Sequence, residues 1–140
     1  MGIQLGHPRG PLRAPLTESG AVKLRALRGA ITVDANEAEA ILSATTELVS
    51  EVMERNGLAP DDVVSCIFTC TDDLNAEFPA VAARRMGLSA VPLLCAREID
   101  VPGSLPRVIR LMVHCYGEAP ARHVYLREAV SLRRDLEGAQ

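Results

Sequence analysis

Val91-Pro92-Leu93-Leu94-Cys95-Ala96-Arg97-Glu98-Ile99-Asp100-Val101-Pro102-Gly103-Ser104-Leu105-Pro106-Arg107-Val108-Ile109-Arg110 is the stretch whose reading decides the fold. It opens as an apolar strand over Ala90–Ala96 and runs into a thiol and two ionised side chains, Arg97 and Glu98. It then turns through Pro102-Gly103-Ser104 and enters a second strand, predicted over Arg107–Tyr116. In that second strand, strict alternation puts Ile109, Leu111, Val113 and Cys115 on one face. Val108, Arg110, Met112 and His114 fall on the other. Arg110 therefore stands in a strand interior among apolar neighbours. A guanidinium buried there has to meet a carboxylate, a phosphate or a ligand, because unpaired burial of charge is heavily penalised. Two readings stay open at this point, an internal salt bridge to Glu98 or a grip on an anion.

Working outward, Gly117-Glu118-Ala119-Pro120 turns the chain into a short fifth strand, Arg122–Leu126, and the periodicity after Arg127 is weak. Upstream, Val63–Thr71 is rich in β-branched and apolar residues and reads as a nearly fully buried strand. Asp72–Asn75 breaks it, and Phe78-Pro79 leads into a helix over Ala80–Met86 that Gly87 ends. Arg84 and Arg85 on that helix point about 100° apart and so cannot both be inward. Further back, Ala38, Ile41, Leu42, Thr45, Leu48, Val49, Val52 and Met53 recur at helical spacing and predict a helix over about 37–56. Asn36 and Glu39 form its expected capping box, and Gly57 its stop. Lys23–Arg28 alternates as a half-buried strand, Gly29 is expected to end it, and Ala30–Val33 continues extended. Arg25 and Arg28 fall on opposite faces by parity.

The order is β-α-β-α-β-β-β, which predicts an α+β fold: a mixed β-sheet with helices packed on one face. Two Phe, two Tyr and no Trp leave few bulky groups to seal the sheet's edges and uncovered face. Self-association that completes a barrel-like core is expected.

At 140 residues, 48% of them hydrophobic, the chain is one domain with a real core. Aromatics are only 3%, which argues against stacking on single-stranded nucleic acid, and the net charge of -3 provides no global field for nucleic acid or an acidic membrane. No apolar run approaches the roughly 20 residues that span a bilayer, and the N-terminus carries no signal-peptide pattern, so a cytoplasmic protein is expected. Cys66, Cys70, Cys95 and Cys115 form no C-x-x-C pair and lie in apolar runs, as reduced, core-like thiols do. Residues 1–21 hold four Gly and three Pro with no period. They read as a flexible extension, and a native start near Val22 is a further expectation. The domain then covers 22–136, followed by a short tail, 137–140.

No glycine-rich phosphate loop, metal-ligand spacing or serine elbow is visible. A Cys95 nucleophile would require a histidine base, and His7, His114 and His123 are the histidines the sequence contains. What the chain has is arginines near strand ends, one carboxylate at Glu98, a tyrosine and a thiol. That inventory suits binding a multiply charged anion and stabilising charge, without bonds to the protein and with no cofactor or metal.

Leu27-Arg28-Gly29-Ala30-Ile31-Thr32-Val33, Asp73-Leu74-Asn75-Ala76-Glu77-Phe78-Pro79-Ala80, Val91-Pro92-Leu93 with Glu98, Gly103-Ser104-Leu105, Ile109-Arg110 and Arg122-His123-Val124-Tyr125-Leu126 together resemble the monofunctional chorismate mutases of the AroH class. The likeness covers about residues 23–136. It implies a homotrimer with a pseudo-α/β-barrel core, active sites at the subunit interfaces, and a cofactor-free Claisen rearrangement of chorismate to prephenate. By that resemblance Arg28 binds a substrate carboxylate and Arg110 meets the ether oxygen of the breaking bond. Glu98 accepts the ring hydroxyl with Cys95 beside it, and Tyr125 holds the enolpyruvyl carboxylate. Phe78, Ala80 and Arg84 come from the neighbouring subunit, Leu94 and Leu132 line the pocket, and Arg133 approaches from the C-terminal tail. The resemblance gives Arg97 and Arg107 no substrate role. Val81 stands where a family Lys can occur, and Arg134 replaces a frequent Pro. The alternatives weighed are a trimeric imine deaminase-like enzyme and a non-catalytic module binding a carboxylated metabolite.

Overall fold

The computed structural model describes residues 21–133. The expectations for the N-terminal extension, for Arg134 and for the tail 137–140 lie outside that range, save for Ala21.

Five strands form one mixed sheet. They are β1 (Lys23–Thr32), β2 (Val63–Cys70), β3 (Leu93–Arg97), β4 (Val108–Gly117) and β5 (Val124–Leu126), in the spatial order β3-β2-β4-β1-β5. β4 is antiparallel to both β1 and β2, while β3 and β5 lie parallel at the two edges. Helix α1 (Ala38–Arg55) and the short α2 (Pro79–Ala83) pack on one face, so the α+β architecture expected from the pattern is the one found.

The core lies between helices and sheet. Ile41, Ala44, Leu48, Val49 and Val52 of α1 meet Leu27 and Ile31 of β1, Cys66 and Phe68 of β2, and Ile109, Leu111, Val113 and Cys115 of β4. The alternation read in β4 is thus the real division between core and open face. α1 ends as its glycine demands. Gly57 takes φ 62°, its N–H reaches the Glu54 carbonyl, and the Leu58 N–H reaches that of Met53, the paired bonds of a Schellman end.

Four local expectations are corrected. Gly29 does not end a strand, because β1 runs unbroken from Lys23 to Thr32. A Cβ there would lie 3.2 Å from Leu48 Cδ1 and from Val52 Cγ2, so the glycine lets α1 close onto the sheet. Asn36 makes no cap for α1, whose N-cap residue is Glu37 with no side-chain cap bond. Its side chain instead accepts the Asn75 and Ala76 N–H groups and donates to Asn75 Oδ1, tying down the loop before α2. The helix expected through Met86 is α-helical only to Ala83, and a looser turn over Arg84–Leu88 follows, with Gly87 at φ 102°. β2 is not nearly fully buried. Val64 and Ile67 are exposed, because α1 and α2 both pack on the sheet's other face. A bulge between Val63 and Ser65 also resets the strand's parity, which alternation alone cannot register.

The opposite face is partly covered by the chain's own end. A 3₁₀ turn, Arg127–Ala129, runs into a helical stretch over 130–133, and Ala129 joins Ala30 and Val108 in a small second cluster with Leu105, Tyr125 and Leu132. Arg107 and Arg127 both adopt left-handed backbone, with φ 51° and 56°. Arg107 Nε donates to the Val33 carbonyl and Arg127 Nη1 to that of Thr32, so two guanidinium groups terminate β1. Arg107 is thereby a structural residue, in keeping with its lack of a substrate role by resemblance.

Candidate active site

Strand pairing places the site's residues in rows across the open face. One row runs Ala96, Thr69, Arg110, Ala30, Tyr125, from β3 to β5. The next runs Leu94, Ile67, Met112, Arg28. Arg28 pairs with Met112, two residues from Arg110, so the two cations occupy a cross-strand diagonal, roughly 7–8 Å apart at Cα. Like charges set on such a diagonal repel, and an anion lying over both removes that repulsion.

Glu98 is brought to the same face from beyond the end of β3. Its N–H donates to the Cys70 carbonyl, extending the β2–β3 ladder. Its Oε2 then accepts Arg110 Nε at 2.9 Å and the Thr69 hydroxyl at 2.7 Å. The salt bridge offered as the plain explanation for Arg110 is therefore present. The premise of a buried guanidinium is not, since the Arg110 side chain is 47% exposed in the single chain while that of Glu98 is 14% exposed. A cavity of about 310 Å³ opens here, lined by Arg28, Ile67, Thr69, Arg110, Met112, Tyr125 and Leu132 among others. Its floor is apolar and its polar groups converge, the usual composition of a small-molecule site. Arg28 has a second tie to β5's approach, because its backbone N–H donates to His123 Nδ1 at 3.0 Å. Burial and the neighbouring Arg28 charge lower the pKa of His123 and keep that nitrogen free to accept.

A second cavity, about 340 Å³, is lined by Cys70, Leu74, Asn75, Phe78, Cys95 and Arg97 among others. Cys95 pairs with Phe68, whose side chain is in the core, and so points to the helix side of the sheet. The resemblance had set Cys95 beside the hydroxyl that Glu98 accepts; within one chain the two residues line different cavities. Phe78 is 65% exposed at the rim of this second cavity, while Ala80 is buried in the core behind it. Arg84 is exposed and lines neither cavity, Leu94 is exposed in the second row, and Arg133 is exposed at the end of the described chain. Arg28, Arg110, Tyr125 and Leu132, with Glu98 on Arg110, are thus gathered in one place, whereas Phe78, Cys95, Ala80, Arg84 and Arg133 are not.

The thiols and imidazoles are otherwise engaged. Burial, with the nearby Cys95 thiol and, for Cys70, the Glu98 and Asp73 carboxylates, pushes Cys66 and Cys70 up to about 12, so neither is a thiolate at neutral pH. His114 Nδ1 lies 3.2 Å from the Ser65 hydroxyl, and His123 Nδ1 accepts the Arg28 N–H. Thr69 was missed on sequence. Its signal is the pairing with Arg110, which only the β2–β4 register reveals.

Two arginines on an open sheet face, one braced by a carboxylate, line one cavity of a small α+β protein together with a tyrosine, a cluster whose charge suits a compact organic anion. Comparison with known proteins gives that class its family. The model of type I chorismate mutases matches residues 24–136. A chorismate mutase AroH of Thermus thermophilus is 53% identical over 121 residues, spanning 84% of this chain and 99% of the relative. One from Bacillus subtilis is 42% identical over 117 residues, 81% of this chain and 92% of the relative. A solved chorismate mutase from Clostridium thermocellum superposes with a TM-score of 0.75 at 48% identity, covering 76% of this chain and 98% of that one. The chain belongs to the type I chorismate mutase family.

Proposed function

We propose that this protein converts chorismate to prephenate, and that it does so by fixing charge around a substrate that rearranges without bonding to the enzyme. The observation that carries the reading is the Arg28–Arg110 diagonal with Glu98 locked onto Arg110. Chorismate is a dianion, and negative charge grows on its ether oxygen as the C–O bond breaks while the new C–C bond forms. Arg110, mounted on the central strand, is the group for that oxygen. Its attraction is stronger in the transition state than in the ground state, which is the condition for raising kcat. One such donor is worth about 3–4 kcal/mol, a factor of roughly 100–1,000 in rate. Arg28 and Tyr125 hold carboxylate, Leu132 packs on the flexible arm, and Glu98 accepts the ring hydroxyl. Holding the enolpyruvyl arm over the ring adds an orientation term.

The assembly belongs to the same proposal. The Arg28–Arg110 cavity is half a site in one chain, Phe78, Ala80 and Arg84 complete it from the neighbouring subunit of a homotrimer, Leu94 lines the pocket, and the Cys95 thiol lies beside the ring hydroxyl. Exposed Ile67, Leu94 and Phe78 support that reading as apolar surface awaiting a partner. Arg133 approaches from the C-terminal segment. The catalytic domain is 22–136. No helix among the described residues is long and apolar enough to cross a membrane, and we place the protein in the cytoplasm. The test is direct. Purified protein mixed with chorismate removes its absorbance and yields prephenate at a rate proportional to enzyme, with no added metal or cofactor; unchanged chorismate would end the proposal.

A further inference from the structure

We infer that Thr69 is a positioning residue for the reaction, holding the Glu98 carboxylate so that Arg110 presents one fixed face to the substrate. The inference rests on the reading of the Arg110 cavity given above and deepens it. Glu98 lies beyond the end of β3, on the far side of β2 from Arg110, so its side chain must cross β2 to reach the guanidinium. Thr69 stands at the crossing. It is paired with Ala96 on one side and with Arg110 on the other, and it lines the same cavity. Its hydroxyl donates to Glu98 Oε2 at 2.7 Å, the oxygen that Arg110 Nε reaches at 2.9 Å.

Two donors converging on one oxygen fix both the rotamer of Glu98 and the plane of the Arg110 guanidinium. Occupying Nε from behind orients the remaining N–H fork, which for arginine is planar and rigid. Among the described residues the Thr69 hydroxyl and Arg110 Nε both meet Oε2, which leaves Oε1 for a substrate hydroxyl. Without the threonine hydroxyl, Arg110 Nε is the sole donor, and a half-exposed ion pair made by one contact between two long side chains is weak and geometrically loose. A reaction whose barrier is lowered by charge placement is sensitive to such looseness.

The position also sets what the residue has to be. Valine has the shape of threonine without the donor, and serine has the donor without the methyl. The experiment compares Thr69→Val, Thr69→Ser and Thr69→Ala in the full-length protein, with chorismate turnover and thermal unfolding measured for each. Thr69→Val and Thr69→Ala are expected to lose about 10- to 100-fold in kcat, the usual effect of removing a hydrogen bond that orients a catalytic group, with KM nearly unchanged. Thr69→Ser is expected to stay close to wild type. A second readout does not depend on turnover. The Arg110 Nε–H resonance is expected to be sharp and slow to exchange in the wild type and in Thr69→Ser, and exchange-broadened in Thr69→Val. Wild-type kcat in Thr69→Val, or equal loss in Thr69→Ser and Thr69→Val, overturns the inference, the latter because it assigns the effect to packing. If the wild-type protein leaves chorismate untouched, the proposed function falls, and the Nε–H comparison still decides whether Thr69 holds the ion pair.

Discussion

Arg110 joins two demands that strand chemistry ordinarily keeps apart, a charge within the central strand and a side chain open to a cavity. Replacing it with alanine removes the donor proposed for the ether oxygen. We expect kcat to fall by about 100- to 1,000-fold with a smaller rise in KM, measured by steady-state loss of chorismate absorbance. Arg110→Lys does not restore the rate, because a single ammonium cannot serve Glu98 and the substrate in a planar fork. His123 gives a separate, pH-dependent expectation. Its pKa is below its ordinary 6.5, so the unfolded chain takes up the proton before the folded one does. The stability it contributes is full above 6.5, declines as the pH falls below that value, and stops declining once the folded ring is itself protonated. Protonation also removes the acceptor for the Arg28 N–H. His123→Asn is expected to flatten the dependence of the unfolding midpoint on pH below 6.5, and an unaltered slope counts against the assignment. Cys95→Ser is expected to leave most activity, since no step requires a thiolate. At this scale the sequence was informative wherever identity alone limits the options. A charge amid apolar neighbours pointed to Arg110 and its partner Glu98. Thr69 stayed hidden because a threonine in a strand is ordinary until its cross-strand neighbours are known.

Among the elements, α1 and β4 were legible almost to the residue, because each has one wet and one dry face over many turns or pleats. β1, β2 and the approach to α1 were misread for reasons that belong to packing. Gly29 looks like a stop in one dimension and is a contact point in three. Asn36 looks like a cap and is spent on Asn75 and Ala76 instead. Gly29→Ala puts a methyl against Leu48, Val52 and Leu111, each within 3.3 Å of the added carbon. We expect this overpacking to destabilise the fold by about 1–3 kcal/mol, read from the urea midpoint at unchanged m-value. Unaltered stability would mean that α1 shifts outward freely. Since Gly29 is the residue next to Arg28, some loss of activity is expected to accompany it.

For the whole molecule, the fold class was readable from the order of elements, but the separation of Phe78 and Cys95 from the Arg110 cavity was not. Alternation along a strand says which residues share a face and nothing about which face of the sheet meets another subunit. If the Arg110 cavity of one chain is completed by the Phe78 side of the next, two crippled variants rescue each other. Arg110→Ala and Phe78→Ala, each impaired alone, are expected to regain turnover when unfolded together and refolded as mixed oligomers, because some interfaces then hold two intact halves. Absence of rescue in confirmed mixed trimers would place the whole site within one chain. The order of strands has a last consequence, for how firmly the reacting groups are held. β4 is bonded on both sides and sits at the centre, whereas Glu98 hangs just past the short edge strand β3. Amide hydrogens along Arg110's strand are then expected to exchange only when the entire domain opens, while those near Glu98 exchange through local fraying. The cation is built into the slowest-opening part of the protein, and its carboxylate partner arrives from one of the quickest.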